Sequence, residues 1–294
     1  MNKEYQEHAD LINVTANKRL SFRARLFSNK PATLAVVLIA LFIISALLAA
    51  FIAPYPYDEQ NLPGMMQAPS IKHLFGTDEF GRDIFSRVIY GTRISLIVGF
   101  TSVVISTSVG TLLGSLAGYY GGIVDQIITG LTDIVYSFPV SLLAIAVVAA
   151  LGPSLFNLII VISMVSWASY ARLVRGQVLT LKEWDFVEAA RALGMSNFRI
   201  IVRHILPNSL APIIVMATLE IPKAIIIEST LSFLGLGVPP PTPSWGSIMN
   251  AGRSFILDAP WITMAPGVMM MVLVLTFNLF GDALRDTLDP RLND

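Results

Sequence analysis

A chain of 294 residues that is 54% hydrophobic and only 14% charged lies outside the composition of soluble globular domains. Its 20 acidic and 20 basic side chains cancel, so the net charge identifies no partner. The chain has no cysteine, which excludes disulfides, thiolate metal sites and thiol catalysis. Its three histidines, His8, His73 and His204, are too scattered to share a metal.

In chain order, residues 1–31 read as a basic tail carrying Lys3, Lys18, Arg19, Arg23, Arg25 and Lys30. A short amphipathic stretch from Phe22 to Phe27 suits the membrane surface. Long uncharged runs follow: 26 residues over 32–57, 31 over 94–124, 38 over 134–171 and 23 over 259–281. Each exceeds the roughly 20 residues that cross a hydrocarbon core. As a single helix the longest run would reach roughly 57 Å, and Gly152-Pro153-Ser154 divides it into a hairpin. Ser209 to Leu236 supplies a further apolar stretch, interrupted by Glu220, Lys223 and Glu228. The pattern predicts an all-α polytopic membrane protein with six spans near 32–54, 94–118, 127–150, 155–172, 209–234 and 261–281. Residues 32–294 form its transmembrane domain.

Lys and Arg set the orientation. The tail holds six, the 172–208 stretch another six, and Arg285 and Arg291 bring one side to 14 of 20. Positive residues stay in the cytoplasm, so both termini and the 173–208 loop are expected inside. The first span is too long, and its amino flank too extended, for a cleavable signal peptide.

Outside, Pro54, Pro56, Pro63 and Pro69 keep the start of the first loop extended. Thr77 or Asp78 is then predicted to cap an interfacial helix with Ile84, Val88 and Ile89 on one face. Gly76 and Gly81 do not form a phosphate loop, because no Gly-Lys-Ser/Thr follows. Gly114 and Gly118, with Gly121 and Gly122 beyond, predict close helix approach at the end of the second span. Asp125 is expected to cap the third span, and Pro139 to kink it near Ser137-Phe138. In the last outer loop, Pro239-Pro240-Pro241 and Pro243 predict a stiff extended run. It would present Trp245 either to a soluble partner or to the membrane interface.

The most informative segment lies in the basic loop. Asp185 and Glu188 predict a capping box, with a helix running to Leu193 and ended by a left-handed Gly194. Ser196 can cap a second helix that sets Phe198, Ile201, Val202 and Ile205 on one face and stops at Pro207. Ala189, Ala190 and Ala192 would let another surface come close.

Glu188-Ala189-Ala190, three residues, Gly194, nine residues, then His204-x-Leu206-Pro207 resembles the signature loop of bacterial ABC-importer permeases. His204 replaces the usual Ile. Further likeness lies in His73…Phe75-Gly76-Thr77-Asp78, Gly81-Arg82-Asp83, Gly118-Tyr119-Tyr120-Gly121-Gly122, Leu231-Ser232-Phe233-Leu234-Gly235, Pro243-Ser244-Trp245-Gly246 and Asp289-Pro290. Together these resemble the C-type permease subunit of dipeptide/oligopeptide importers. The resemblance implies a related second permease, two cytoplasmic ATPases and an extracytoplasmic solute-binding protein as partners, with lipid around them and no nucleic acid. It makes Glu188, Ala189, Ala190, Gly194, Leu206 and Pro207 the ATPase-coupling residues in a bacterial inner membrane. Nickel, metallophore, glutathione and opine importers share these motifs. The chain is expected to have no catalytic, cofactor or metal site of its own: it lacks a Walker-type Gly-x-x-x-x-Gly-Lys-Ser/Thr, so ATP would be bound by another chain. Intramembrane Glu220, Lys223 and Glu228 are candidates for the substrate path, or, in a rival reading, for proton coupling in a secondary transporter. Glu220 and Lys223, three apart on a helix, can instead pair with each other.

Overall fold

The computed structural model describes residues 30–288, so the tail stretch Phe22–Phe27 and the Asp289-Pro290 motif lie outside the described residues. Among those described there is no strand beyond one isolated bridge between Thr77 and Asp83. The helices are α1 (Lys30–Leu47), α2 (Ala49–Ile52), α3 (Ile84–Tyr120), α4 (Gly122–Tyr136), α5 (Val140–Leu151) and α6 (Leu155–Leu181). After these come α7 (Asp185–Ala192), α8 (Asn197–Ile200), a π-turn (Ile201–Ile205), α9 (Leu206–Phe233), α10 (Trp245–Gly252) and α11 (Trp261–Leu288).

Among the described residues five helices are long and apolar enough to cross a membrane, and α4 with α5, a broken span or a re-entrant loop, would bring the number to six as one span. The two halves of that pair meet at 88°. Pro139 produces the break: it lacks an N–H, and it drives Phe138 away from helical geometry. The outcome is sharper than a kink, since α5 starts afresh with Pro139 as its cap residue. Asp125 is not the cap of α4; Gly121 is, and Asp125 lies in the first turn. Its carboxylate is instead gripped by Arg175 of α6, through Nε and through Nη2 at 2.6 Å. About two turns along α4, Asp133 takes Arg172 at 3.0 Å, and that guanidinium lies over the Tyr136 ring. The acidic side of α4 is thereby fixed to α6, while Ile123, Ile127, Leu131 and Ile134 face outward.

The tightest seam joins α3 to α6. Ser102, Ser106, Gly110, Gly114 and Gly118 recur every four residues, forming one stripe along α3. A Cβ on Gly118 would sit 2.8 Å from Val178 Cβ, and one on Gly114 would sit 3.0 Å from Ala171 Cα. No side chain larger than hydrogen fits there. Higher up the seam, Ser163 Oγ donates to the Ile159 carbonyl and Ser106 Oγ to the Ser102 carbonyl of their own helices, both at 2.6 Å, and these hydroxyls also lie 3.3 Å from the Ser102 and 3.4 Å from the Ser163 carbonyl across the seam. The close approach anticipated for these small residues is present.

At the far end of the bundle, the predicted helix start at Thr77 or Asp78 is not observed. The helix begins at Ile84, capped by Asp83, which accepts from Ser86 N–H and Ser86 Oγ–H, both at 2.8 Å. Thr77 and Asp78 are consumed by the loop itself. Thr77 Oγ1 donates to the Gly64 carbonyl at 2.6 Å and accepts from Gln67 N–H at 2.8 Å. Asp78 accepts from the N–H groups of Phe80 and Arg82 and from Arg82 Nε. His73 Nδ1 faces the other Asp83 oxygen at 2.9 Å, and Tyr55 stacks on the His73 ring. The segment 73–83 is thus a hydrogen-bonded plug seated on the bundle end.

Gly114→Leu is expected to separate α3 from α6 and to destabilise the subunit by about 1–3 kcal/mol or more, the range for overpacking. Gly130→Ala is the control, because a Cβ there meets nothing within 4 Å. Thermal melting of the purified complex should fall for the first variant and hold for the second.

Candidate functional site

The loop from 185 to 206 stands on the end of the bundle as a two-helix knob. Its underside is apolar: Val187, Ala190, Ile200 and Ile205 pack against Val174, Val178 and Leu181 of α6 and Ile213 of α9. Tyr119 Oη donates to Asn197 Oδ1 at 3.0 Å, and Lys182 Nζ donates to the Gly118 carbonyl at 3.2 Å, tying the knob to the end of α3. Gly194 has φ +73°, the left-handed conformation expected of it, and lies in open space. The exposed crown carries Glu188, Ala189, Ala192, Leu193 (83% exposed) and Phe198 (75% exposed). These two large apolar side chains lie outside the core on the exposed end of the knob.

Four local expectations fail here. The capping box does not form: Trp184 is the cap residue, no side chain caps the helix, and Asp185 lies inside the first turn. Asp185 and Glu188 still favour the helix through its dipole. Ala190 faces inward at 4% exposure, leaving Ala189 and Ala192 as the small residues a partner would meet. Pro207 does not stop the second helix, since residues 197–233 run as one 37-residue helix. The π-turn at Ile201–Ile205 widens the backbone just before the proline, where a regular helix would collide with the ring. Asn208 Nδ2 donates to the His204 carbonyl at 2.6 Å and Ser209 Oγ to the Ile205 carbonyl at 3.1 Å, engaging carbonyls of the widened turn. The wider turn also rotates the register. Ile200, Ile201 and Ile205 are buried, while Phe198 and Val202, anticipated on the same face, point away. His204 stands against the Phe186 ring, with centroids 6.3 Å apart. Leu206 is half-buried and Pro207 exposed.

The same helix floors a groove of ≈ 430 Å³ whose walls are Leu173 of α6 and the last turn of α11. Met216, Leu219, Glu220 and Lys223 lie along it at three- and four-residue intervals. Glu220 and Lys223 pair with each other at 2.7 Å, with the Lys223 side chain 63% exposed. Arg285, in the sequence only one of the basic residues that set the orientation, also lines the groove. No local sequence signal joins it to Glu220, because 65 residues separate them; only the packing of Gly281 against Leu219 brings the helices together.

Glu228 does not belong to this groove. It is fully buried and accepts from Ser95 Oγ of α3 at 3.2 Å, Ser229 Oγ at 3.2 Å and Ser232 Oγ at 2.7 Å. It is a polar staple between α3 and α9, which corrects its assignment to the substrate path. Trp245 is likewise removed from any contact with a partner or with the membrane interface. It is 0% exposed, donates Nε1–H to the Val88 carbonyl at 3.1 Å and meets the edge of Phe42. The preceding proline run forms turns and bends, not an extended strip, and so tucks the indole inward where α10 begins.

This helical arrangement is that of ABC-transporter membrane subunits. A methionine ABC transporter solved in inward-facing conformations matches with TM-score 0.58 at 18% identity, covering 70% of this chain and 98% of that one. An amino acid ABC transporter matches with TM-score 0.53 at 16% identity, over 68% of this chain and 94% of that one. Residues 110–294 match the family described as binding-protein-dependent transport system inner membrane component. Residues 20–69 match the N-terminal transmembrane domain of oligopeptide transport permease C. A dipeptide transport system permease protein of Alkalihalophilus pseudofirmus is 49% identical over 268 residues, 91% of this chain and 88% of its own. A glutathione transport system permease protein of Pectobacterium atrosepticum is 45% identical over 257 residues, 86% and 85% of the two chains. The chain therefore belongs to the binding-protein-dependent transport system inner membrane component family, as a permease subunit of an ABC importer.

Glu228→Ala, which leaves three buried hydroxyls without their acceptor, is expected to cost about 1–3 kcal/mol and to lower the melting temperature. Glu228→Gln keeps an acceptor and should retain transport per folded complex. If the Gln variant folds normally yet abolishes transport, the carboxylate has a role beyond stapling.

Proposed function

We propose that this permease imports di- or oligopeptides, forming half of a translocation path with a related second permease. The dipeptide relative supports the substrate class, and so does the glutathione relative, whose solute is itself a small γ-linked peptide. The subunit is non-catalytic in this reading. Two cytoplasmic ATPases bind and hydrolyse ATP, and an extracytoplasmic binding protein delivers the solute. Both termini and the 185–206 knob lie in the cytoplasm of a bacterial inner membrane, on the side favoured by 14 of the 20 basic residues.

The observation that carries the mechanism is continuity. The second half of the knob and the floor of the charged groove are one helix, residues 197–233. At 1.5 Å per residue it is about 55 Å long, so its first turns stand outside a ~30 Å core. Closure of the ATPase pair would draw the docked knobs together and swing this helix as a lever. The groove would then alternate between closed and open states biased by nucleotide. Leu193 and Phe198 are the side chains an ATPase pocket would enclose, with Glu188 and Ala189 beside them.

Because Glu188 is exposed and makes no cap hydrogen bond, Glu188→Lys should cost only about 0.3–1 kcal/mol of helix stability through the dipole. Leu193→Ala and Phe198→Ala should cost less than a buried truncation would. All three, together with Gly194→Val at its positive φ, are expected to insert and assemble in normal amounts. Each should lower ATP-driven uptake and solute-stimulated ATPase activity at least about tenfold, equivalent to ~1.4 kcal/mol of coupling. Wild-type uptake from all four at normal abundance would remove the knob from the coupling path.

Orientation is separately testable, since the chain has no cysteine of its own. Asn61→Cys and Leu257→Cys, the latter at a position 92% exposed, should react with an impermeant thiol reagent from outside. Asn197→Cys should react only after the membrane is opened. The inverse pattern would invert the topology.

A further inference from the structure

We infer that the groove along α9 is a binding site for a small zwitterion. In it Arg285 takes the ligand's carboxylate, Glu220 takes its ammonium group, and the wall formed by Leu173, Met216 and Leu219 accepts an apolar side chain. This assignment rests on the peptide-import reading above and adds to it a site within the permease itself.

The charges come first. An ammonium that is 63% exposed on a helix apolar enough to span a membrane does not face lipid. Ionisable groups at such positions face a protein interior or a water-filled cavity. The groove is therefore a wet surface, and its volume of ≈ 430 Å³ falls in the range of about 300–1,000 Å³ typical of small-molecule sites. Lys223 and Glu220 neutralise each other at 2.7 Å. Among the described residues no carboxylate pairs with Arg285, which leaves the groove one positive charge in excess. An arginine offers a planar fork that matches a carboxylate in two parallel hydrogen bonds.

The geometry of the pair comes second. Glu220 is held at 12% exposure while the Lys223 side chain is 63% exposed. An arriving ammonium can take the place of the solvent-facing lysine on a carboxylate that is already positioned. The ligand's two termini then meet opposite charges from two helices, Glu220 on α9 and Arg285 on α11, with no net change in charge pairing for Glu220. The apolar wall sets no demand on side-chain shape, because Met216 is unbranched and repacks readily. A site built this way selects free termini and tolerates different side chains.

The test uses the complete importer, with its second permease, ATPases and binding protein, in liposomes of phosphatidylethanolamine and phosphatidylglycerol. Met216→Cys places a thiol in the groove of a chain that otherwise has none, and its maleimide labelling is read on this chain by mass spectrometry. Dialanine at millimolar concentration on the ATPase side is expected to slow labelling at least threefold. N-acetyl-dialanine and dialanine amide should leave the rate unchanged. Arg285→Gln and Glu220→Gln should each abolish protection, and Arg285→Lys should retain part of it. Equal labelling with and without dialanine, or equal protection by the blocked analogues, overturns the inference. So does a thiol shielded by phosphatidylglycerol whether or not dialanine is added, which would make the groove a lipid site. ATP-driven dialanine uptake by the unsubstituted complex keeps the two readings apart: uptake without protection defeats only the groove assignment, whereas no uptake of any peptide defeats the substrate class.

Discussion

Backbone contact between α3 and α6 is the constraint on which the remaining structure depends. Lipid tails are as apolar as leucine, so helices inside a membrane gain nothing from merely hiding apolar surface from one another. What holds them is dispersion at short range and hydrogen bonds that lipid cannot offer. The stripe Ser102-Ser106-Gly110-Gly114-Gly118 meets both needs. Its glycines let α6 approach to backbone distance, and its serines place hydroxyls on carbonyls of α3 and α6. This is the most extensive helix pair in the molecule. Everything else is positioned from it: α4 is clamped to α6 by Asp125 and Asp133, and α9 is stapled to α3 by Glu228.

In the coupling proposed above, that pair is what the knob would press against. Its underside is seated on the end of α6 through Val174, Val178 and Leu181, so a load on the crown would pass to the most closely packed helix pair. The other half leads without interruption into α9. A proline at the junction would ordinarily relieve such a load by kinking the helix. Here the π-turn absorbs Pro207 within a continuous rod. Pro212 and Pro222 lie further along the same helix, beside the groove residues, where smaller adjustments would alter the groove and leave the knob intact.

The spans were legible because they depend on one physical quantity, the length of uncharged apolar sequence. The glycine stripe was legible for a similar reason, since spacing by four is a property of the helix alone. Caps were not. Asp78, Thr77, Asp125 and Asp185 all have the chemistry of a cap residue, but Asp78 is taken up by Phe80 and Arg82 of its own loop, Thr77 and Asp125 by partners further along the chain, and the backbone at Trp184 starts the helix one residue before the fourth. Local preference proposes several starts, and competing hydrogen bonds choose among them. Trp245 failed in the same way. A tryptophan after a proline run in an outer loop looks available, and only the position of the Val88 carbonyl, 157 residues away in sequence, shows that its N–H has a buried partner.

The three intramembrane charges illustrate how far composition alone can carry a site. Glu220, Lys223 and Glu228 share one helix and one sequence signal, yet the fold gives them different environments. Eight residues separate Glu220 from Glu228, more than two helical turns at 3.6 residues each, and this takes the second carboxylate from an open groove into a cage of serine hydroxyls. Those serines are what make its burial tolerable, because a carboxylate without donors in that position would cost several kcal/mol. Glu220 is served by a single exposed lysine and shares its groove with an arginine with which no carboxylate among the described residues pairs. A carboxylate enclosed by buried hydroxyl donors has less left to offer a ligand than one whose single partner faces the open groove. In the solute-binding reading proposed above, the groove, not the cage, is where a passing solute would exchange contacts with this subunit.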